Sequence, residues 1–319
     1  MLNFYTQKIE DYLKSYSLPQ EPSNLYEPLV YFLGLGGKRL RPVLTLLASE
    51  LGGKSSEEAI HAALSIELFH NFSLIHDDIM DNAPIRRGLP TVHEKWNSNI
   101  AILSGDVLLV KAYELLSKQK NEHIPALFQL FNKTAIEVCE GQQMDMDFEN
   151  RDDVSIEEYI SMIRLKTSVL LGCALEFGFI ISDQSIDNRK KLYDFGVNLG
   201  IAFQIQDDIL DLYGDPEKVG KQVGGDVKAN KKTLLYLVAE KICNKLNNSR
   251  LKSLKEIKDL DKKVQETKFF YSEISVLEET QNYLNYYYDS SMKSLEAIEI
   301  SSSKDNLLQM VSYLFNRQS

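Results

Sequence analysis

Residues 65–88 read SIELFHNFSLIHDDIMDNAPIRRG, an apolar helical run closed by Asp77, Asp78 and Asp81 and followed by Arg86 and Arg87. On a helix Asp77 and Asp81 are four apart and share a face, with Cβ atoms roughly 5–6 Å from each other. Like charges at that spacing repel, and no basic residue lies between them. A divalent cation is the natural counter-charge. The pattern returns in GIAFQIQDDILDLYGD (200–215), where Asp207, Asp208 and Asp211 repeat it. One such cluster reads as a solvated surface; two read as a site.

Around these stretches the chain is helical in pattern throughout. Amphipathic segments are expected at 2–16 and 24–33, separated by Pro19 and Pro22. GLGGKRLRP (34–42) breaks the periodicity, and Pro42 then opens a run that Gly52-Gly53 ends. A long helix over 56–81 carries the first cluster, and 82–90 is a loop. Further helices are expected at 99–119, 122–147, 155–180, 186–212, 231–247, 249–263, 270–297 and 304–316. Ser155 and Glu158 form a capping-box pattern, and 213–230 reads as a flexible Gly/Lys loop. No strand and no short-period repeat is evident. The economical reading is one all-α domain over 1–319.

Composition narrows the function. The chain has 319 residues, 44% hydrophobic and 26% charged, enough for a sizeable core. A net charge of −10 argues against general nucleic-acid binding. No segment approaches ~20 consecutive apolar residues, so no membrane span is expected, and the first residues lack a signal-peptide core. Cys139, Cys173 and Cys243 stand far apart in apolar helical stretches and read as buried free thiols of a reducing, cytoplasmic compartment.

Paired acidic helices with scattered cations suggest a phosphorylated substrate. Mg²⁺ takes one or two carboxylates and completes its shell with water and phosphate oxygens. Lys38, Arg39, Arg41, Arg86, Arg87, Lys166, Lys221 and Lys231 could grip the phosphates. Counting about 100° per residue puts Ile66, His70 and Ser73 on the Asp77–Asp81 stripe. A charged head above an apolar wall suits a substrate with a greasy tail.

GGKRLRP, HDDIMDNAPIRRG, GQQMD, RLKT, FQIQDDILD and Gly220-Lys221 together resemble the ordered motif set of the trans-isoprenyl diphosphate synthases, short-chain type. The resemblance covers roughly 30–235; residues 236–319 match only as a helical extension. It implies a single large helical bundle around a deep central cavity, usually a homodimer. It also implies condensation of isopentenyl diphosphate with an allylic diphosphate (dimethylallyl, geranyl or farnesyl), releasing pyrophosphate. By this resemblance Asp77, Asp81 and Asp207 bind about three Mg²⁺, or Mn²⁺ in its place, supported by Asp78, Asp208 and Asp211. Arg86, Lys166, Lys221 and Lys231 contact the allylic diphosphate, while Lys38, Arg41, His70 and Arg87 hold isopentenyl diphosphate. Asp145 orders a metal-bound water, and Gln204 and the Thr167 carbonyl face the cationic carbons. Phe72, five residues before Asp77, limits product length beside the small Ser73, with Phe69 as a second floor. The expected product is geranylgeranyl diphosphate, with farnesyl diphosphate as the alternative.

Rival readings are specific. Glu67-x-x-His70 matches half of a di-iron site that needs two copies. His76 could ligate metal or simply pack between helices. A class I terpene cyclase shares the metal chemistry, but its usual second motif is of the Asn-Asp-x-x-Ser-x-x-x-Glu type, and it lacks the isopentenyl diphosphate set. A non-catalytic partner subunit tends to lose the aspartates kept here.

Overall fold

The amphipathic periods become helices almost everywhere. The computed structural model describes residues 2–215, 224–300, 302 and 304–315. In order these are α1 (Leu2–Ser15), α2 (Ser23–Gly34), α3 (Leu40–Leu51), α4 (Ile60–Met80), a hairpin of β1 (Ile85–Arg86) and β2 (Leu89–Pro90), α5 (Val92–Lys95), α6 (Ser98–Leu116) and α7 (Ile124–Glu149). There follow α8 (Ile156–Ile163), a π-helical turn (Arg164–Ser168), α9 (Val169–Ile181), α10 (Ile186–Tyr213), α11 (Gly225–Lys228), α12 (Leu234–Leu246), α13 (Arg250–Lys255), α14 (Leu260–Glu273), α15 (Val276–Glu296) and α16 (Asp305–Phe315). The fold is all-α, and no described helix is long and apolar enough to cross a membrane.

Several boundaries differ from the sequence reading, among them the 213–230 loop, which holds α11, and the 270–297 helix, which starts inside α14 and breaks before α15. The 82–90 loop holds an antiparallel pair, Ile85 with Pro90 and Arg86 with Leu89, so two short strands do exist. The segment 155–180 is interrupted by the π-turn, and 249–263 breaks between α13 and α14. Ser155 does cap α8: its side chain accepts from the Glu158 amide, and the Glu158 carboxylate accepts from the Ser155 amide. Gly220 and Lys221 lie outside the described residues. Cys173 and Cys243 are buried as expected, but Cys139 is exposed: its position on α7 follows the buried Val138 and turns to the polar side.

The chain divides into two compact units. The first comprises Met1–Phe131, Ala174–Arg189 and Ile300–Leu307, with a core that includes Phe32, Leu46, Leu68, Phe69, Phe131 and Phe177. It contains the first aspartate cluster. The second comprises Asn132–Cys173, Lys190–Glu299 and Leu308–Ser319, and buries Phe195, Leu199, Ile205, Phe270 and Tyr271. It contains the second cluster.

In the second unit a close approach shapes the π-turn. A side-chain carbon on Gly141 of α7 would lie 2.2 Å from the Lys166 amide nitrogen, and one on Gly200 of α10 would lie 2.8 Å from Ser168 Cα. Two glycines therefore let two helices close on this turn. Such turns often mark functional sites in helical proteins.

Candidate active site

Both aspartate clusters stand near the C-terminal end of a helix. Helix α4 ends at Met80 with Asp81 as its C-cap, and α10 ends at Tyr213, two residues beyond Asp211. The negative pole of the helix dipole adds to the mutual repulsion of the carboxylates there. Carboxylates crowded into such a turn are locally unfavourable, and a cation offsets that cost. An all-oxygen donor set is the type that hard Mg²⁺ prefers, so the residues present fit that ion.

Within each cluster the three aspartates differ. Asp77 and Asp81, and Asp207 and Asp211, are partly or fully exposed, whereas Asp78 is 1% and Asp208 5% exposed. Arg86 forks onto Asp78: Nε donates to both carboxylate oxygens at 2.9 and 2.8 Å, and Nη2 lies 2.7 Å from Oδ1. The small hairpin is thereby tied back to α4. Asp208 accepts the Tyr159 hydroxyl at 2.5 Å and the Leu234 amide at 3.2 Å, with Gln204 Nε2 at 3.5 Å. Burial pushes the Asp208 carboxyl up to about 7, and the Asp226 charge adds to this. Burial and the charge of Asp208 hold the Tyr159 hydroxyl far above its ordinary range, so it remains a donor. Asp211 accepts the Asp226 amide at 3.0 Å, which draws α11 onto the end of α10.

The first unit also gathers guanidinium groups. Arg41 Nη1 lies 3.1 Å from His70 Nε2. A guanidinium can only donate, so His70 accepts at Nε2 and carries its proton on Nδ1. Burial, then the charges of Arg41, Arg87, Arg86 and Arg39, keep this imidazole neutral, well below its usual pKa. Burial lowers Arg41 to about 10, which leaves it charged at neutral pH. Its buried Nε has no hydrogen-bond partner among the described residues, a donor ready for an anion. Arg87 donates to the Gly36 carbonyl in the GGK loop, while Lys38 in that loop is exposed.

Arg39 is a correction. It was a candidate phosphate ligand with Lys38 and Arg41, but its side chain is buried between Glu67 (2.6 Å), Glu10 (2.7 Å) and the Leu33 carbonyl (2.8 Å). The same contacts weigh against the di-iron reading, because Glu67 is ion-paired with Arg39 and His70 Nε2 faces the Arg41 guanidinium. His76 behaves as a packing residue: its Nε2 lies 3.2 Å from the Ile102 carbonyl, and its ring stacks edge-on with Phe72. Glu122, His123 and Asp183 also cluster within 4.8 Å, away from every motif, with Lys54 3.5 Å from Asp183.

Below Asp77 the aromatics form a chain. Phe72 packs on Phe69, Phe69 on Phe131 of α7, and Phe131 on Tyr113 of α6. Phe69 is 1% exposed and Phe72 half-buried; the Ser73 hydroxyl donates to the His70 carbonyl at 2.9 Å. Helix counting puts Phe72 about 140° round from the aspartate stripe, where it meets Phe69 and His76.

In the second unit Lys166 Nζ donates to Asp145 Oδ2 at 2.6 Å, so the RLKT and GQQMD motifs meet directly. Thr167 lies in the π-turn and Gln204 one turn before Asp208 on α10. Lys231 is exposed, and its amide bonds to the Asp226 carbonyl at 2.9 Å. Tyr159 and Leu234 were not singled out from sequence; the one available signal was the capping box that places α8 just before RLKT.

Comparisons with known proteins agree with one another. The polyprenyl synthetase family profile matches residues 22–274. The geranylgeranyl pyrophosphate synthase of Geoglobus acetivorans is 38% identical over 98% of this chain and 95% of its own length. The geranylgeranyl diphosphate synthase of Saccharolobus solfataricus is 44% identical over 74% of this chain and 71% of its own. A crystal structure of a geranylgeranyl pyrophosphate synthase superposes with a TM-score of 0.92 at 42% identity, covering 100% of this chain and 98% of that one.

Proposed function

The chain belongs to the polyprenyl synthetase family and is a prenyltransferase, and we propose that it extends an allylic diphosphate with isopentenyl diphosphate to make geranylgeranyl diphosphate. The observation that carries this reading is that each unit ends a helix in partly exposed aspartates, the first unit adding an arginine cluster around neutral His70. We assign the whole chain, 1–319, to one synthase domain with its motif-bearing core at about 30–235 and a helical extension beyond. We assign it to the cytoplasm, where its free thiols remain reduced.

Asp77, Asp81 and Asp207 would hold about three Mg²⁺ ions, with Mn²⁺ as a substitute, and Asp78, Asp208 and Asp211 would support them. Bound magnesium supplies positive charge that stabilises the departing pyrophosphate. Arg86, Lys166, Lys221 and Lys231 would add positive charge at the allylic diphosphate. Asp145 holds the Lys166 ammonium in place and would order water beside it. Lys38, Arg41, Arg87 and the neutral His70 would seat isopentenyl diphosphate with its double bond at attack distance. The allylic C–O bond breaks with its electron pair leaving on pyrophosphate, and the isopentenyl double bond attacks the allylic carbon. Pyrophosphate then takes the proton lost from the condensed product. Gln204 and the Thr167 carbonyl would face the cationic carbons. Homodimerisation is part of this reading and is supported by Ile102, Leu103 and Val110, exposed along α6.

The split between pockets has a kinetic signature. Arg41→Ala and Arg87→Ala should each raise the KM for isopentenyl diphosphate about tenfold or more, since each removes a charge-assisted bond present before and during reaction. Lys166→Ala should instead weaken the allylic substrate and slow its ionisation. Initial rates with each substrate varied in turn check this; an Arg87→Ala effect confined to the allylic constant refutes the division.

Product length rests on the aromatic chain below Asp77. Phe72→Ala, alone or with Phe69→Ala, should lengthen products beyond twenty carbons. Chromatography of the dephosphorylated products reads the answer. An unchanged distribution in the double variant would place the floor on other residues.

A further inference from the structure

The second aspartate of each motif turns inward and is held by a side chain of its own unit. Arg86 holds Asp78, and Tyr159 holds Asp208. Arg86 is already assigned to substrate, whereas nothing so far gives Tyr159 a part in the reaction. We propose that Tyr159 is a positioning residue for the metal and diphosphate site. In this role its hydroxyl fixes the Asp208 carboxylate and, through it, the turn of α10 that presents Asp207 and Asp211.

Geometry supports this from three sides. Tyr159 and Asp208 are 4% and 5% exposed, and their 2.5 Å contact has no room for water to substitute. The other short donor to Asp208 is the amide of Leu234, the first residue of α12, so one carboxylate ties α8, α10 and α12 together. Helix α8 is itself fixed by its capping box, and it leads straight into the π-turn that carries Lys166. The hydroxyl therefore links the lysine-bearing segment to the aspartate-bearing helix. Phenylalanine would fill the same volume but leave Asp208 short of its closest donor. A buried carboxylate deprived of a donor reorients toward whatever remains, and here its neighbour in sequence is Asp207. Partners that orient ligands in this way commonly change metal affinity 10–100-fold when removed.

The inference rests on the proposed metal role of Asp207, and its test separates the two. Full-length protein is titrated with Mn²⁺ in the presence of inorganic pyrophosphate, with free Mn²⁺ read by electron paramagnetic resonance. Tyr159→Phe should weaken Mn²⁺ uptake about tenfold or more. Tyr271→Phe, which removes another buried tyrosine hydroxyl of the same unit, should stay within about twofold. A folded Tyr159→Phe protein with wild-type affinity overturns the proposal, as does an equal loss in Tyr271→Phe. If Tyr159→Phe does not fold, Tyr159→Leu decides, because it also removes the hydroxyl while leaving every aspartate in place. Affinity within twofold of wild type in that variant overturns the proposal, and a tenfold loss supports it. Wild-type protein that takes up no Mn²⁺ with pyrophosphate would overturn the metal reading and this inference with it.

Discussion

Replacing Asp77 or Asp207 by alanine is expected to lower turnover about a hundredfold to a thousandfold, with the fold intact. Each change removes a carboxylate that we assign to the ions stabilising the leaving group, and a single lost stabilising group of this kind costs about 10²–10³ in rate. The loss should persist at saturating substrate, because the interaction matters most as the allylic C–O bond breaks. Stability should be preserved or slightly raised. Asp77 stands four residues from Asp81 at the end of α4, where both the neighbouring carboxylate and the helix dipole disfavour it. Turnover at matched Mg²⁺, with circular dichroism and Tm alongside, checks both halves. Near-wild-type turnover in either variant removes that aspartate from the site.

The second large effect should come from a residue with no functional group. Gly141→Ala would place a methyl carbon 2.2 Å from the Lys166 nitrogen and 2.7 Å from the Leu165 carbonyl carbon. Both are backbone atoms, so no side-chain rotation relieves the overlap. Overpacking of this kind costs about 1–3 kcal/mol or more. In a chain of this size that lowers Tm by several degrees, at roughly 2–4 °C per kcal/mol. The π-turn must shift away from α7, carrying Lys166 off its 2.6 Å contact with Asp145. Displacement of about 1 Å at a reacting site costs about a hundredfold in rate. Gly34→Ala is the matched control, since an added carbon there meets none of the described residues within 4 Å. Equal Tm and turnover in both variants would mean that the close approach at Gly141 carries no functional weight.

The parts of this account legible in sequence are those written in periodicity and charge. Apolar spacing marks most of the helices, and Ser155 with Glu158 marks the start of α8. The inward turn of Asp78 was also foreseeable, because it points about 100° from Asp77. What Asp78 meets was not. Arg86 comes back to it through a hairpin of two-residue strands, one ending in proline, and such short strands carry no alternation to detect. The π-turn was hidden for a related reason. Its altered hydrogen bonding leaves no Gly or Pro at 164–168, and the glycines that make it possible sit on α7 and α10. The break between α13 and α14 likewise has neither residue; there Asp259 caps the new helix by accepting the Asp261 and Lys262 amides.

The GGKRLR stretch shows the limit of charge counting. Lys38, Arg39 and Arg41 are equivalent in composition, yet Arg39 adopts a left-handed backbone with φ of 47° and is buried among Glu10, Glu67 and the Leu33 carbonyl. Its acidic partners lie on α1 and α4, too distant in sequence for spacing to reveal. Burying Arg39 fixes the backbone on either side of it, which leaves Lys38 and Arg41 held by one internal ion-pair network. A structural arginine therefore sits inside the motif that supplies the proposed isopentenyl diphosphate ligands.

Product analysis tests the central claim most directly. Purified protein is incubated with Mg²⁺, labelled isopentenyl diphosphate and, in separate reactions, dimethylallyl, geranyl or farnesyl diphosphate. The labelled alcohols are then separated by chain length after dephosphorylation. The account predicts linear prenyl products that accumulate at twenty carbons from every accepted starter, with one pyrophosphate released per isopentenyl unit and no product when Mg²⁺ is chelated. Cyclic hydrocarbons formed from an allylic diphosphate alone, or no incorporation of isopentenyl label with any starter, would contradict it.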